Sequence, residues 1–262
     1  MDMKTEYRSI KYETADRVAT VTMCVPEKMN ALDARLGEEL ASALARVKAD
    51  AAVKVVVLTG MGKAFCAGGD VTAFEGVGFQ EAVEGIKAAS KSLVGAFMSC
   101  PKPIVASVNG FAVGAGLSMA LLSDIVIASD QAVFGAAFVN IGLTPDCGSL
   151  YLLPRLVGLP KAKEMVFTGR NIDAREALNL GIVNQVAEHD KLAEVAAKTA
   201  ARLAAQPSLS MAQSKALIHM GLDIGIDELL DMEAVAQGMC MVSEDGQEGV
   251  GAFLHKRKPN FK

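Results

Sequence analysis

The chain has 262 residues, of which 51% are apolar and 21% charged, enough to fill one large core and too apolar for a disordered or collagen-like chain. With 26 Lys and Arg against 30 Asp and Glu the net charge is −4, and aromatics are only 5% with no Trp, so neither a positive field nor stacking surfaces favour a nucleic-acid partner. The five cysteines are scattered without a CxxC pair, which argues against a disulfide framework and a zinc site; the charged Met1 to Glu13 stretch lacks the apolar run of a secretory signal, so a cytoplasmic setting is expected.

In chain order, Tyr7–Tyr12 and Val18–Met23 read as hairpin strands around a polar connection at 13–17. Asp33 is placed to cap a helix whose Leu36, Leu40, Leu44 and Val47 share one face, and Val53–Thr59 is a β-branched run ending at Gly60, the pattern of a buried strand. A helix over Gln80–Met98, a strand over Ile104–Val108, a short helix after Gly114 and a strand over Asp124–Ala128 continue an α/β alternation. From Ile104 to Ser123 no residue is charged, yet Asn109-Gly110, Gly114, Gly116 and three serines divide this run into a strand and a helix, so no membrane span is expected. Beyond Pro145 the strand signals fade, and helices are expected over Leu150–Val157, Lys161–Thr168, Ala174–Leu180, Leu192–Ala205, Leu209–Met220 and Ile226–Met241.

Three segments make unusual demands on the backbone. In Lys63-Ala64-Phe65-Cys66-Ala67-Gly68-Gly69-Asp70, paired glycines follow a strand, where they either aim a main-chain N–H at a ligand or simply end the strand. Asn109-Gly110-Phe111-Ala112-Val113-Gly114-Ala115-Gly116 opens a helix, where free N–H groups hold an oxyanion or the glycines serve close packing. Gly142-Leu143-Thr144-Pro145-Asp146-Cys147-Gly148 carries a carboxylate among apolar residues at a helix start, either as a helix cap or as an acid/base in a dry pocket. Neither glycine loop completes a P-loop or a dinucleotide fingerprint.

Together, Pro26-Glu27-Lys28-Met29-Asn30-Ala31-Leu32, Ala64 to Asp70, Pro103 to Gly110, the glycine-rich turn, Phe167-Thr168-Gly169-Arg170 and Glu248 to Arg257 resemble, in order and spacing, the enoyl-CoA hydratase/isomerase family, the crotonase superfamily. The resemblance implies a crotonase-like spiral of ββα turns over residues 1–200 and a C-terminal helical trimerisation region over 201–262. It also implies an acyl-CoA thioester as substrate, with coenzyme A part of that substrate and no further cofactor or metal, and a homo-oligomer, trimer or hexamer.

By motif position, the resemblance assigns the two oxyanion donors to the N–H groups of Gly69 and Ala115. It lays the coenzyme A moiety by Lys28, Ala67, Asp70 and Val71, with Phe253 and Lys256 reaching in from a neighbouring subunit, and lines the acyl pocket with Phe74, Phe79, Phe97 and Phe138. The two glutamates with which hydratases activate water correspond here to Ser118 and Phe138, neither able to act as a general base. Ser118 is then a small wall residue, and its replacement by Ala is expected to cost little. Asp146 stands where isomerases of the family carry their acid/base, and Gly142 to Gly148 is similar to the epoxyphenylacetyl-CoA isomerase branch. The expected activity is double-bond migration between 3-enoyl-CoA and 2-enoyl-CoA. Alternatives are hydration, a dehalogenase-like nucleophilic Asp146, a silent coenzyme A-binding paralogue, and a serine hydrolase built on Gly116-Leu117-Ser118-Met119-Ala120 with His219 or His255.

Overall fold

The structure is a computed structural model and describes residues 6–262. The chain opens with β1 (Ile10–Ala15) and β2 (Val18–Met23), an antiparallel hairpin. Its turn is the pair Asp16-Arg17, both with positive φ (49° and 65°), so the connection is two residues rather than five and β1 starts three residues later than the hydrophobic pattern places it. Helix α1 (Ala34–Ala49) follows, capped by the Asp33 carboxylate, which accepts from Leu36 N–H at 2.8 Å. Leu36, Leu40, Leu44 and Val47 are all buried on its inner face, each contributing about 1.5–3 kcal/mol by leaving water.

Three strand–strand–helix turns then repeat. The first is β3 (Val55–Gly60), β4 (Ala64–Cys66) and α2 (Phe79–Met98); the second is β5 (Ile104–Val108), β6 (Phe111–Val113) and α3 (Ala115–Leu122). The third has β7 (Ile125–Ser129) and β8 (Val133–Gly135), followed by α4 (Ser149–Val157) and α5 (Leu159–Thr168). The first strand of each turn adds in parallel to one sheet, ordered β1-β2-β3-β5-β7, and the second strand adds in parallel to another, ordered β4-β6-β8. The uncharged Ile104–Ser123 run is thus β5, β6 and α3, and no helix among the described residues is long and apolar enough to cross a membrane.

Two strands lie beyond Pro145, where the sequence pattern shows only helices. β9 (Asn171–Asp173) pairs antiparallel to β8, and β10 (Gln185–Ala187) completes the large sheet beside β7, with α6 (Ala174–Asn179) between them. Each is three residues long, too short for a period-two signal to stand out. The chain ends in α7 (Leu192–Ala204), α8 (Ser208–Met220), α9 (Ile226–Val242) and α10 (Glu244–Leu254).

The central strands β3, β5 and β7 of the large sheet are buried on both faces, which explains the unbroken apolar runs. Val56, Leu58, Ile104 and Ala106 face the main core with α1, while Val55, Val57, Val105 and Ile127 face Leu192, Ala196 and Ala200 of α7. Helices α8 to α10 pack differently: α8 buries no residue fully, α9 only Ala236 and α10 only Ala252, and Ile226, Val235, Val242, Val250 and Phe253 are exposed.

Candidate active site at the meeting of two glycine loops

The segment before α1 acts as a template for the first glycine loop. Met29 and Asn30 both take left-handed backbone (φ 50° and 55°), and Asn30 is fully buried. Its side chain accepts from Val25 N–H (2.9 Å) and donates to the carbonyls of Met61 (3.0 Å) and Ala64 (2.8 Å), joining three stretches of main chain. Leu32 then pairs with the loop: its N–H donates to Gly68 O (2.7 Å) and its carbonyl accepts from Asp70 N–H (2.9 Å). A residue facing such a pair turns its own N–H to the other side, and Gly69 N–H donates to no acceptor among the described residues. Gly68, at φ +119°, takes a backbone conformation that strains any side chain.

The second loop supplies the matching donor. Gly114 (φ +56°) ties its N–H to Gly135 O at 2.8 Å, and α3 begins at Ala115, whose N–H belongs to the first turn and has no acceptor among the described residues. Two close approaches lock this loop to the first. A Cβ on Gly114 would stand 3.4 Å from Gly68 Cα, and one on Gly116 would stand 2.0 Å from Cys66 O, so only glycine lets α3 lie against β4. The unpaired donors of Gly69 and Ala115 therefore come from two loops in van der Waals contact, with the positive end of α3 behind one of them.

Asp146 sits just before α4 but does not cap it. The N-cap is Gly148, and it is the main-chain carbonyl of Asp146 that accepts, from Ser149 N–H (3.0 Å) and Ser149 Oγ (2.8 Å). The carboxyl plays no part in the cap, and its Oδ1 is out of solvent and without a hydrogen-bond partner. Burial pushes the Asp146 carboxyl above its ordinary value, against hydrogen bonds from the neighbouring Cys147 thiol and the Asp146 main chain; burial also pushes that thiol up to about 12, so it stays protonated. Cys147 (φ 48°) and Gly148 (φ 79°) hold the loop in consecutive left-handed conformations, Cys147 Sγ lies 3.9 Å from Ser90 Oγ, and a Cβ on Gly148 would meet Val94 and Leu122 at 3.8 and 3.9 Å.

Phe138 is buried, with its ring 3.8 Å from the space a Cβ on Gly114 would fill, so an apolar face borders the two loops. Ser118 differs from the wall residue expected of it. It is fully buried, and its Oγ lies within hydrogen-bond distance of both Gly114 O (3.3 Å) and Asp146 O (3.2 Å). Among the described residues Ser118 has no histidine partner: its Oγ meets only carbonyls, His255 is within hydrogen-bond distance of Gly251 O and His219 lies by the Asp124–Lys215 pair.

The remaining sequence-derived residues fall into three groups. Around Gly69 lie Ala67, whose N–H donates to Met29 O (3.1 Å); Lys28, paired to Asp70 at 2.8 Å; and the exposed Val71 and Phe74, the latter ring 3.8 Å from a Cβ position on Gly69. Lys28 and the Thr72 donors hold the Asp70 carboxyl down to about 2. Phe79 is exposed at the start of α2, whereas Phe97 at its other end belongs to the main core and is 1% exposed. Phe253 and Lys256 are exposed at the end of α10, without a hydrogen bond to the Lys28 cluster among the described residues. Asn30 and Ser149 are the residues whose parts sequence reasoning missed. Asn30 was visible only as a motif letter, and Ser149 only as a residue following Gly148.

The family model described as enoyl-CoA hydratase/isomerase matches residues 13–262. The chain is 40% identical to a "probable enoyl-CoA hydratase" of Rhodobacter capsulatus, over 97% of this chain and 98% of that one. It is 36% identical to the 1,2-epoxyphenylacetyl-CoA isomerase of Escherichia coli, over 93% and 94%. Among solved structures, an enoyl-CoA hydratase/isomerase of Cupriavidus metallidurans superposes with a TM-score of 0.93 at 33% identity, covering 98% of this chain and 97% of that one. With the ββα spiral, the two contacting glycine loops and these matches along nearly its whole length, the chain belongs to the enoyl-CoA hydratase/isomerase family, the crotonase superfamily.

Proposed function

We propose that the protein moves a double bond between 3-enoyl-CoA and 2-enoyl-CoA, with Asp146 as the acid/base and the N–H groups of Gly69 and Ala115 as donors to the thioester oxygen. The observation that carries this reading is the Asp146 carboxyl, with a buried oxygen that no protein group satisfies, in a loop hydrogen-bonded to the helix that bears Ala115. A buried orphan carboxylate oxygen costs stability, and a proton-transfer role explains why it is kept.

In this mechanism the Asp146 carboxylate takes a proton from C2 of the 3-enoyl group. The C–H electron pair becomes part of a dienolate whose charge rests on the thioester oxygen, where each N–H donor contributes about 3 kcal/mol to the transition state. The carboxyl then returns the proton at C4, and the C3–C4 double bond becomes C2–C3. One group serves both steps, and burial helps it, because a carboxyl raised from its ordinary value is a better base and remains a usable acid. The adenine and phosphates lie by Lys28, Ala67, Asp70 and Val71, and the exposed apolar faces of α8 to α10 are covered in a trimer or hexamer that brings a neighbour's Phe253 and Lys256 to the coenzyme. The enolate charge is met by main-chain donors, so turnover needs no metal.

Hydration is the second reading, favoured by the names of several relatives, among them the crotonyl-CoA hydratase of Syntrophomonas wolfei at 36% identity. Against it stand Ser118 and Phe138 at the places the resemblance gives to the water-activating glutamates. Liquid chromatography that resolves the two isomers, coupled to mass spectrometry, separates the two readings when run on 3-hexenoyl-CoA and 2-hexenoyl-CoA. Interconversion at unchanged mass, unaffected by EDTA, is expected; a 3-hydroxyacyl product heavier by one water as the main outcome would overturn the isomerase reading.

A further inference from the structure

Ser118 stands between the two halves of the site. Its Oγ is 3.3 Å from Gly114 O, the carbonyl just before the Ala115 donor, and 3.2 Å from Asp146 O, 28 residues further along the chain. A hydroxyl has one proton to give, so the two contacts form one three-centre bond. Neither carbonyl depends on it. Gly114 O also accepts from Ser118 N–H at 3.1 Å, and Asp146 O accepts twice from Ser149. Removing the hydroxyl would therefore leave no buried carbonyl unsatisfied. What it adds is a polar link between α3 and the Asp146 loop, beside the packing of α3 on α4.

The Asp146 carboxyl needs such a link. Its Oδ1 has no partner and its neighbours are the thiol and main chain of its own loop, so the position of the carboxyl follows that loop, which continues into two left-handed residues, Cys147 and Gly148. We infer that Ser118 is a positioning residue: its hydroxyl bridges the carbonyls of Gly114 and Asp146 and so fixes the distance from the carboxyl to the donors of Gly69 and Ala115. This rests on the reading of Asp146 as the acid/base. A proton transfer between C2 and C4 on one thioester is sensitive to that distance, since a misplacement of about 1 Å costs up to about a hundredfold in rate.

The test compares Ser118→Ala, Ser118→Cys, Asp146→Asn and the double variant Ser118→Ala/Asp146→Asn, with thermal unfolding run on each. Steady-state isomerisation of 3-hexenoyl-CoA gives kcat and KM, and deuterium exchange at C2 gives residual activity in the Asn background. Ser118→Ala is expected to lower kcat by about tenfold, with KM within about twofold of wild type. Ser118→Cys keeps nearly the same volume with a weak donor and is expected to match Ala; it carries the test alone if Ala does not fold. In the Asp146→Asn background the Ser118→Ala change should alter residual exchange by less than about twofold, because there is no carboxyl left to position.

A wild-type kcat in Ser118→Ala, full recovery in Ser118→Cys, or an equal loss with and without the Asp146 carboxyl would overturn the bridge while leaving the acid/base in place. Retained turnover in Asp146→Asn would instead remove the acid/base reading, and the positioning role with it.

Discussion

The glycine loops and the Asp146 loop build one site in opposite ways. The loops work through main chain: Gly69 and Ala115 offer N–H groups, and the requirements on sequence are negative, that nothing larger than hydrogen stand at Gly116 and that no side chain strain Gly68. On the proposed reading the Asp146 loop works through one carboxyl, while its main-chain carbonyl is occupied by Ser149 and Ser118. A site made of backbone tolerates changes of side chain but not of backbone, and a site made of side chain does the reverse. That is why alanine at position 115 costs nothing in donors, whereas on the proposed reading serine and phenylalanine at 118 and 138 turn the chemistry away from hydration.

Ala115→Pro strikes the main-chain half hardest. Proline is accepted at the first residue of a helix, so α3 should persist, but the N–H is gone and ring carbon takes its place. Turnover should fall by about two to three powers of ten or more, with the far-UV circular dichroism unchanged. Next in size is Gly116→Ala, whose Cβ would stand 2.0 Å from Cys66 O and force α3 off β4; a loss of about 1–3 kcal/mol in urea unfolding is expected.

The side-chain half has a pH signature. Activity needs the carboxylate, so the acid limb of kcat/KM should lie above the ordinary aspartate value of about 3.9 and vanish in Asp146→Asn. The Cys147 thiol facing it, at about 12, adds nothing to that limb. Because the native pKa is raised, folding favours the protonated form, and stability declines as pH rises through the window between the unfolded and native values. Asp146→Asn should therefore melt higher than wild type at neutral pH, and the difference should close below the unfolded value. The smallest effect belongs to Ala115→Gly, which keeps the N–H. Its kcat should stay within about twofold, and stability should drop by less than about 1 kcal/mol from lost helix propensity.

The α/β alternation of long strands and helices, the Asp33 cap and the loops at Gly68-Gly69 and Gly114-Ala115-Gly116 were legible in the residues, because β-branched runs, helical periodicity and glycine pairs each have a local cause, whereas the ββα repeat came from the family resemblance. The three-residue strands β4, β6, β8, β9 and β10 were not, since their extended form is imposed by neighbours in the sheet rather than by their own pattern. Asp146 was visible as a carboxylate before a helix, but its letter fits a cap as well as an acid/base. Only the structure shows Gly148 at the cap and Oδ1 without a partner. Ser118 stood out by its place in the motifs, but its contact with a carbonyl 28 residues away carried no signal.

Deuterium exchange at C2 of 3-hexenoyl-CoA, measured with wild type and Asp146→Asn alongside binding of hexanoyl-CoA, tests the division between the two halves most directly. Asn has nearly the shape of Asp, and the Asp146 side chain does not cap α4, so the helix and the glycine loops should be untouched. Exchange is expected to fall by about two to four powers of ten, while the Kd of hexanoyl-CoA stays within about twofold because the main-chain donors remain. Exchange near the wild-type rate in Asp146→Asn would show that the base lies elsewhere.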